Sequence, residues 1–184
     1  MPPEPDNLYE RLMGPAWHNV TASVRSAHSP GGEKRGVFQI SHGKSRLARI
    51  LARWSRLPRP ALSAETRLKI VEDGDRQSWE RSFDGVPFAT TQWAGNAGCL
   101  MERVGLWEFC FRLRVENGAL GYEQTRVRFC LGPLRLPLPL SPRVAASETP
   151  DGLARVRISV QVRLPLFGRL IDYDGWLDVE VPVL

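Results

Sequence analysis

The sequence is short of the residues that carry most enzyme chemistry. It has only three histidines and three cysteines in 184 residues. His18, His28 and His42 lie in the first quarter, none at i, i+4 spacing, and no H-E-x-x-H occurs. That excludes the usual helical zinc-hydrolase arrangement. There is no G-x-S-x-G and no P-loop, which excludes a nucleophile elbow and a Walker-type phosphate cradle. G-x-G-x-x-G is also missing, so the chain should not bind a dinucleotide by itself. Cys99, Cys110 and Cys130 form no C-x-x-C pair and no close metal spacing. They read as buried or half-buried free thiols in a reducing compartment. No run of about 18 apolar residues exists, so no spanning helix is predicted. The opening MPPEPDNLYE lacks the basic region and apolar core of a secretory signal, which makes the cytoplasm the expected location. These gaps predict no metal, no cofactor, no catalytic residue and no enzyme activity of the chain on its own.

What is present is an ordinary globular composition, 42% hydrophobic and 24% charged. The length predicts one domain over 1–184, with a helical segment at 1–30 and a β-rich body at 36–184. The net charge of +5 is unevenly spread. Residues 34–64 hold Lys34, Arg35, Lys44, Arg46, Arg49, Arg53, Arg56 and Arg59 with no acid, which leaves the rest of the chain net negative. A local basic segment on a near-neutral body points to a local contact or a solvated face. Arginines on later strands, such as Arg155, Arg157 and Arg163, are interleaved with acids elsewhere and accompany no RNA-binding motif. Nucleic acid is therefore not an expected partner.

Helical periodicity is confined to the first third. Asp6 is placed to cap a helix over about 7–13, which Gly14 and Pro15 end. A second helix is predicted over 16–28, with Trp17, Val20 and Val24 on one side, and then a loop over 29–36 and a short strand VFQIS. The helix at about 45–57 is the clearest. Leu47, Ile50, Leu51, Trp54 and Leu57 form an apolar stripe, and Arg46, Arg49, Arg53 and Arg56 repeat the spacing one residue earlier. Ala48, Ala52 and Ser55 form a third, small-residue face. This helix either packs its apolar stripe on the sheet or lays it into a lipid interface with the arginines at phosphates.

From residue 65 the period changes to two. In LARVRISVQVRL, Ala154, Val156, Ile158, Val160 and Val162 alternate with Arg155, Arg157, Ser159, Gln161 and Arg163. Trp107, Phe109, Phe111, Leu113 and Val115 share one parity, as do Trp79 and Phe83, and as do Ile171, Tyr173 and Leu177. About nine or ten strands joined by short turns predict an α+β chain, mostly antiparallel β. The expected form is a curved meander or open barrel with the basic helix on or over it. The stretch GPLRLPLPLSP puts Leu134, Leu136, Leu138 and Leu140 on one face of a strand. Pro133, Pro137 and Pro139 remove donors from one edge only, so this reads as an edge strand where the sheet stops.

The segments LYERLMGPAW, GKSRLARILARWSRLP, DGDRQSWERSFDG, LPLPLSPRV and GRLIDYDGWL resemble a bacterial family, domain of unknown function 4166, over nearly the whole chain. The resemblance implies no catalytic residue. It implies a setting beside oxidoreductase-like nucleotide-binding domains, hence an oxidoreductase partner for an accessory or interaction domain.

The residues themselves suggest a non-catalytic module that holds an apolar or lipid-like small molecule inside the curved sheet. The expected lining is Trp79, Phe109, Phe111, Leu136, Leu138 and Tyr173. The expected surface contacts, to a partner or a peripheral membrane, are Arg46, Arg49, Arg53 and Arg56. Glu102 and Glu108 could meet as a carboxylate pair across a turn, but read better as exposed strand charges beside Arg103 and Arg112. Asp172 and Asp174 read as solvated strand residues or as ligands for a cation.

Overall fold

The computed structural model describes residues 7–54, 57–130, 141–165 and 167–180. Side chains at 47, 48, 51 and 54 lie outside that description. The elements are α1 (Leu8–Met13), a 3-10 turn (Gly14–Asn19), α2 (Ala22–Ala27), β1 (Lys34–His42), α3 (Arg46–Trp54) and nine further strands. These are β2 (Ala61–Asp73), β3 (Arg76–Phe83), β4 (Val86–Ala94), β5 (Leu100–Val104) and β6 (Trp107–Glu116), then β7 (Ala119–Phe129), β8 (Arg143–Pro150), β9 (Arg155–Leu164) and β10 (Gly168–Asp178).

Every consecutive strand pair is antiparallel, and β1 pairs with both β2 and β10. The ten strands thus form a closed barrel, which leaves no free edge in the ring. The mostly antiparallel barrel matches the expected class, and the sheet goes further than a curved meander by closing. The predicted edge strand at Leu134–Leu140 lies outside the described residues. On either side of that segment the wall is thin. β7 and β8 pair only from Leu120↔Glu148 to Glu123↔Ala145. Beyond that point the Gln124 side chain replaces the ladder. Its Nε2 donates to Pro142 O (2.9 Å), and its Oε1 accepts from Val144 N–H (2.6 Å).

Local chemistry explains the hairpins. Asp84-Gly85 and Asn117-Gly118 are two-residue loops with positive φ at both positions, the geometry that matches strand twist. At the seam, Gly175 lies opposite Phe38, and a Cβ there would fall 2.2 Å from Val37 O. Only glycine lets β1 and β10 approach this closely.

Three local expectations change. Asn7, not Asp6, is the described cap of α1, accepting from Tyr9 N–H at 2.8 Å. The predicted helix over 16–28 is broken, because Thr21 is pulled out of it. Its N–H and its hydroxyl both donate to Gly118 O, at 3.0 and 3.2 Å, which ties this segment to the β6–β7 turn. In α3, Ile50 is 59% exposed while Ala52 is fully buried, so of these two residues the small one faces inward. The reason is at the C-terminal end. Leu57 N–H reaches back to Ala52 O (3.0 Å), and His42 Nε2 lies 2.7 Å from Pro58 O, drawing the chain down on the Ala52 side.

The barrel has two different ends. The even-numbered hairpins, β2–β3 through β8–β9, share one end with α1 and α2. Tyr9, Trp17, Val20 and Val24 pack into that end and close it. The described odd-numbered connections, including α3, surround the other.

Candidate functional site

Inward-facing residues of the strands enclose a cavity with a polar floor, mixed middle and apolar mouth. The floor is built by the N-terminal helices. Tyr9 projects from α1 so that its hydroxyl donates to Gln92 Oε1 (2.8 Å) and lies 3.3 Å from the Tyr122 hydroxyl. Tyr122 donates to Glu148 Oε1 (2.9 Å), and His28 Nε2 lies 2.5 Å from Glu148 Oε2. The His28 ring centroid lies 3.9 Å from that of Tyr9 and 5.2 Å from that of Trp79, tilted by 51° and 60°. Glu148 therefore has partners on both oxygens, as a buried carboxylate requires.

Burial raises the pKa of Tyr9 and Tyr122 well above the usual phenol value, and the nearby Glu148 adds to it. Tyr173 is pushed up to about 12, chiefly by burial. These are all three tyrosines of the chain. A phenol raised on folding stabilises the fold fully below its unfolded value, near 10. That contribution is lost as pH climbs through the folded value, so for Tyr173 the window is pH 10 to about 12. Spectrophotometric titration should therefore show no tyrosinate signal with a midpoint near pH 10. The signal should rise together with loss of the folded circular dichroism spectrum. A phenol ionising near pH 10 in the folded protein would contradict the buried floor.

Above the floor lies a small space of about 70 Å³, bordered by Leu68, Trp79, Gln92 and Glu148 among others. It adjoins a wider one of about 480 Å³ that runs toward the mouth past Phe88, Phe109, Trp107 and Phe129. Arg81, Glu102, Phe111, Val144, Val160 and Tyr173 border both. The wider space is within the range of pockets that take small organic molecules.

Of the sequence-predicted lining residues, Trp79 borders the inner space, Phe109 the wider one, and Phe111 and Tyr173 both. Leu136 and Leu138 lie outside the described residues. Arg46, Arg49 and Arg53 are exposed on α3, and Arg56 lies outside the described residues. Glu102 and Glu108 do not meet. Glu102 faces the cavity, whereas Glu108 faces out and pairs with Arg128 at 2.6 Å. The reading of Glu102 as an exposed strand charge is thus corrected by the parity of β5, which turns Leu100, Glu102 and Val104 inward. Asp174 pairs with Arg157 (2.6 Å) and Asp172 with Arg169 (2.9 Å) on the outer face. Among the described residues no three His, Cys, Asp or Glu side chains are grouped to hold a metal. Cys99 and Cys110 are buried and Cys130 is half-buried, all as free thiols.

Sequence reasoning missed Arg81 and the floor. For Arg81 the signal existed: it shares the parity of Trp79 and Phe83. For Tyr9 and His28 no local pattern gives the contact, since His28 meets Glu148 across 120 residues.

Fold and cavity together define a closed, ten-stranded antiparallel barrel with a plugged end and a hollow interior. The chain belongs to the family described as Domain of unknown function (DUF4166), whose sequence model matches residues 21–177. No curated protein matches it. Among solved structures, a protein of unknown function from the DUF3598 family of Nostoc punctiforme aligns with a TM-score of 0.50 and 14% identity. That alignment covers 81% of this chain but 47% of the Nostoc chain, so this chain spans about half that protein's length. At such identity the likeness shows the fold alone. A secretary abundant heat soluble protein from Ramazzottius varieornatus aligns at TM-score 0.42 with 12% identity, covering 81% of this chain and 93% of that one. Rv2717c from M. tuberculosis aligns at 0.49 with 13% identity, covering 88% and 99%. Among the described residues no helix is long and apolar enough to cross a membrane.

Proposed function

We propose that this barrel is a non-catalytic module that binds one apolar or lipid-like small molecule in its interior. The observation that carries the reading is the cavity of about 480 Å³, lined mostly by apolar and aromatic side chains and closed at the floor by the N-terminal helices. A void this large costs stability when empty, since its walls lack partners for dispersion contacts. A bound molecule restores them. Native mass spectrometry tests this: one amphiphile per chain is expected to saturate the protein. Absence of any saturable adduct would overturn the proposal.

A second reading, contact with a membrane surface, draws on the rim. Ile50, Leu62, Val86, Leu106 and Phe167 are exposed, and each lies on α3 or on the connection or strand start at the cavity's mouth. Leu153 is the other large exposed apolar residue among those described, and it sits at the opposite end. Lys44, Arg46, Arg49, Arg53 and Arg59 are exposed in the same β1–β2 connection, a charge suited to anionic lipid. Vesicles with roughly 30% phosphatidylglycerol should bind the protein in co-sedimentation, because basic residues near a surface contribute about 1 kcal/mol each. The triple substitution Arg46→Glu, Arg49→Glu, Arg53→Glu should cut that binding at least tenfold. Equal binding of both proteins, or none to these vesicles, would remove this reading.

A further inference from the structure

We propose that Arg81 and Glu102 form a head-group site inside the cavity. It selects an amphiphile whose polar head carries an anionic oxygen close to a hydrogen-bond donor. The inference rests on the reading that the cavity binds a ligand, and it names the class of that ligand.

The charges of the outer wall and those of the interior are partnered differently. On the outer wall, Arg114 pairs with Glu123, Arg128 with Glu108 and Arg157 with Asp174, each at 2.6 Å. Inside, Glu148 is satisfied on both oxygens by Tyr122 and His28. Arg81 and Glu102 differ from all of these. Both border the inner and the wider space, yet neither forms an ion pair within 4.0 Å among the described residues. Arg81 Nη1 donates to Thr90 Oγ1 (3.0 Å), and its guanidinium sits 5.0 Å from the centroid of the Trp79 ring. That bond uses one of five donors and leaves the rest of the fork free. Glu102 accepts no hydrogen bond among the described residues, and the Tyr173 hydroxyl makes none.

Strand geometry fixes both charges. Arg81 pairs across with Leu68 and Phe88, and Glu102 with Gln92 and Phe109, all central positions of their strands. Parity turns them inward, where both are half-buried. Apolar side chains at these two positions would continue the lining set by Trp79, Phe83, Leu100 and Val104. Unpaired charges facing an apolar space are costly, and replacing them by apolar groups is often stabilising. Retaining them is the pattern of a binding site that gives up stability for recognition.

The pair also sets the head's chemistry. A lone carboxylate would satisfy Arg81 but face Glu102 with like charge. A lone ammonium would do the reverse. A head with both an acceptor and a donor, such as an N-acyl amino acid, meets both groups at once. A site built to hydrogen-bond a polar group strongly rejects analogues that lack it.

The test uses delipidated full-length protein and chains of about fourteen carbons, the length of a myristoyl anchor. Three heads are compared by calorimetric titration: a carboxylate alone (myristate), an amine alone (tetradecylamine) and both functions (N-myristoylglycine). N-myristoylglycine is expected to bind at least tenfold tighter than either of the others. Arg81→Met should weaken it by roughly 10- to 100-fold, the usual effect of losing a charge-assisted hydrogen bond. Glu102→Met should abolish the penalty against myristate. Both variants should melt, without ligand, at or above the temperature of the unsubstituted protein. Equal affinity for the three heads, an unchanged ranking in the variants, or lower ligand-free melting temperatures would each overturn the assignment while leaving the cavity reading intact. Failure of all three heads to bind would overturn both.

Discussion

Val160→Trp is expected to reduce binding of a fourteen-carbon amphiphile by nearly a hundredfold while leaving the barrel folded. Val160 lies on β9 and borders both the inner space and the wider one. An indole there fills the neck between them and keeps the ligand from the deeper half. Loss of roughly 100 Å² of apolar contact, at about 25 cal/mol/Å², is about 2.5 kcal/mol. The adjoining space can take the larger ring, so the usual overpacking cost of about 1–3 kcal/mol is relieved. Titration against the unsubstituted protein, with melting curves as the folding control, checks the expectation. Undiminished affinity with an intact fold would place the ligand outside the barrel.

Glu148→Leu is expected to be the most damaging single change to stability among the polar interior residues. Glu148 joins β8 to both N-terminal helices, through His28 directly and through Tyr122 to Tyr9. Removing it leaves His28 Nε2 and the Tyr122 hydroxyl without their acceptor, and His28 Nδ1 already lacks a partner among the described residues. Breaking such a buried set on one side costs about 3 kcal/mol. For a chain of this size that is a fall in melting temperature of roughly 6–12 °C. The damage should start at the plugged end. Hydrogen exchange at Leu8–Met13 and Ala22–Ala27 is expected to rise more than in β3. Uniform loss of protection, or an unchanged melting temperature, would show that this network does not hold the floor in place.

The barrel was legible in the sequence wherever one face was apolar without interruption. Arg155–Leu164 alternates cleanly and forms β9 with the predicted faces. β7 keeps no single parity, for a physical reason. A bulge at Thr125, which donates to Cys110 O at 3.1 Å, shifts the register against β6 between Arg126 and Gln124. Parity therefore changes within the strand: Leu120 and Tyr122 face in before the bulge, Val127 after it. The outward turn of Ile50 was not legible, because the tether from His42 to Pro58 decides it rather than the pattern of α3. Arg81 and Glu102 are the instructive miss. Their parity was visible, but Glu102 was read as an exposed strand charge and Arg81 was passed over.

The interior is expected to hold one amphipathic molecule. Native mass spectrometry of the full chain, titrated with N-myristoylglycine and with Val160→Trp run beside it, tests this most directly. The expected spectrum shows a single saturable adduct on the unsubstituted protein and little on the variant. Adducts that keep adding without saturation, or that load both proteins alike, would mean that the cavity is not the binding site.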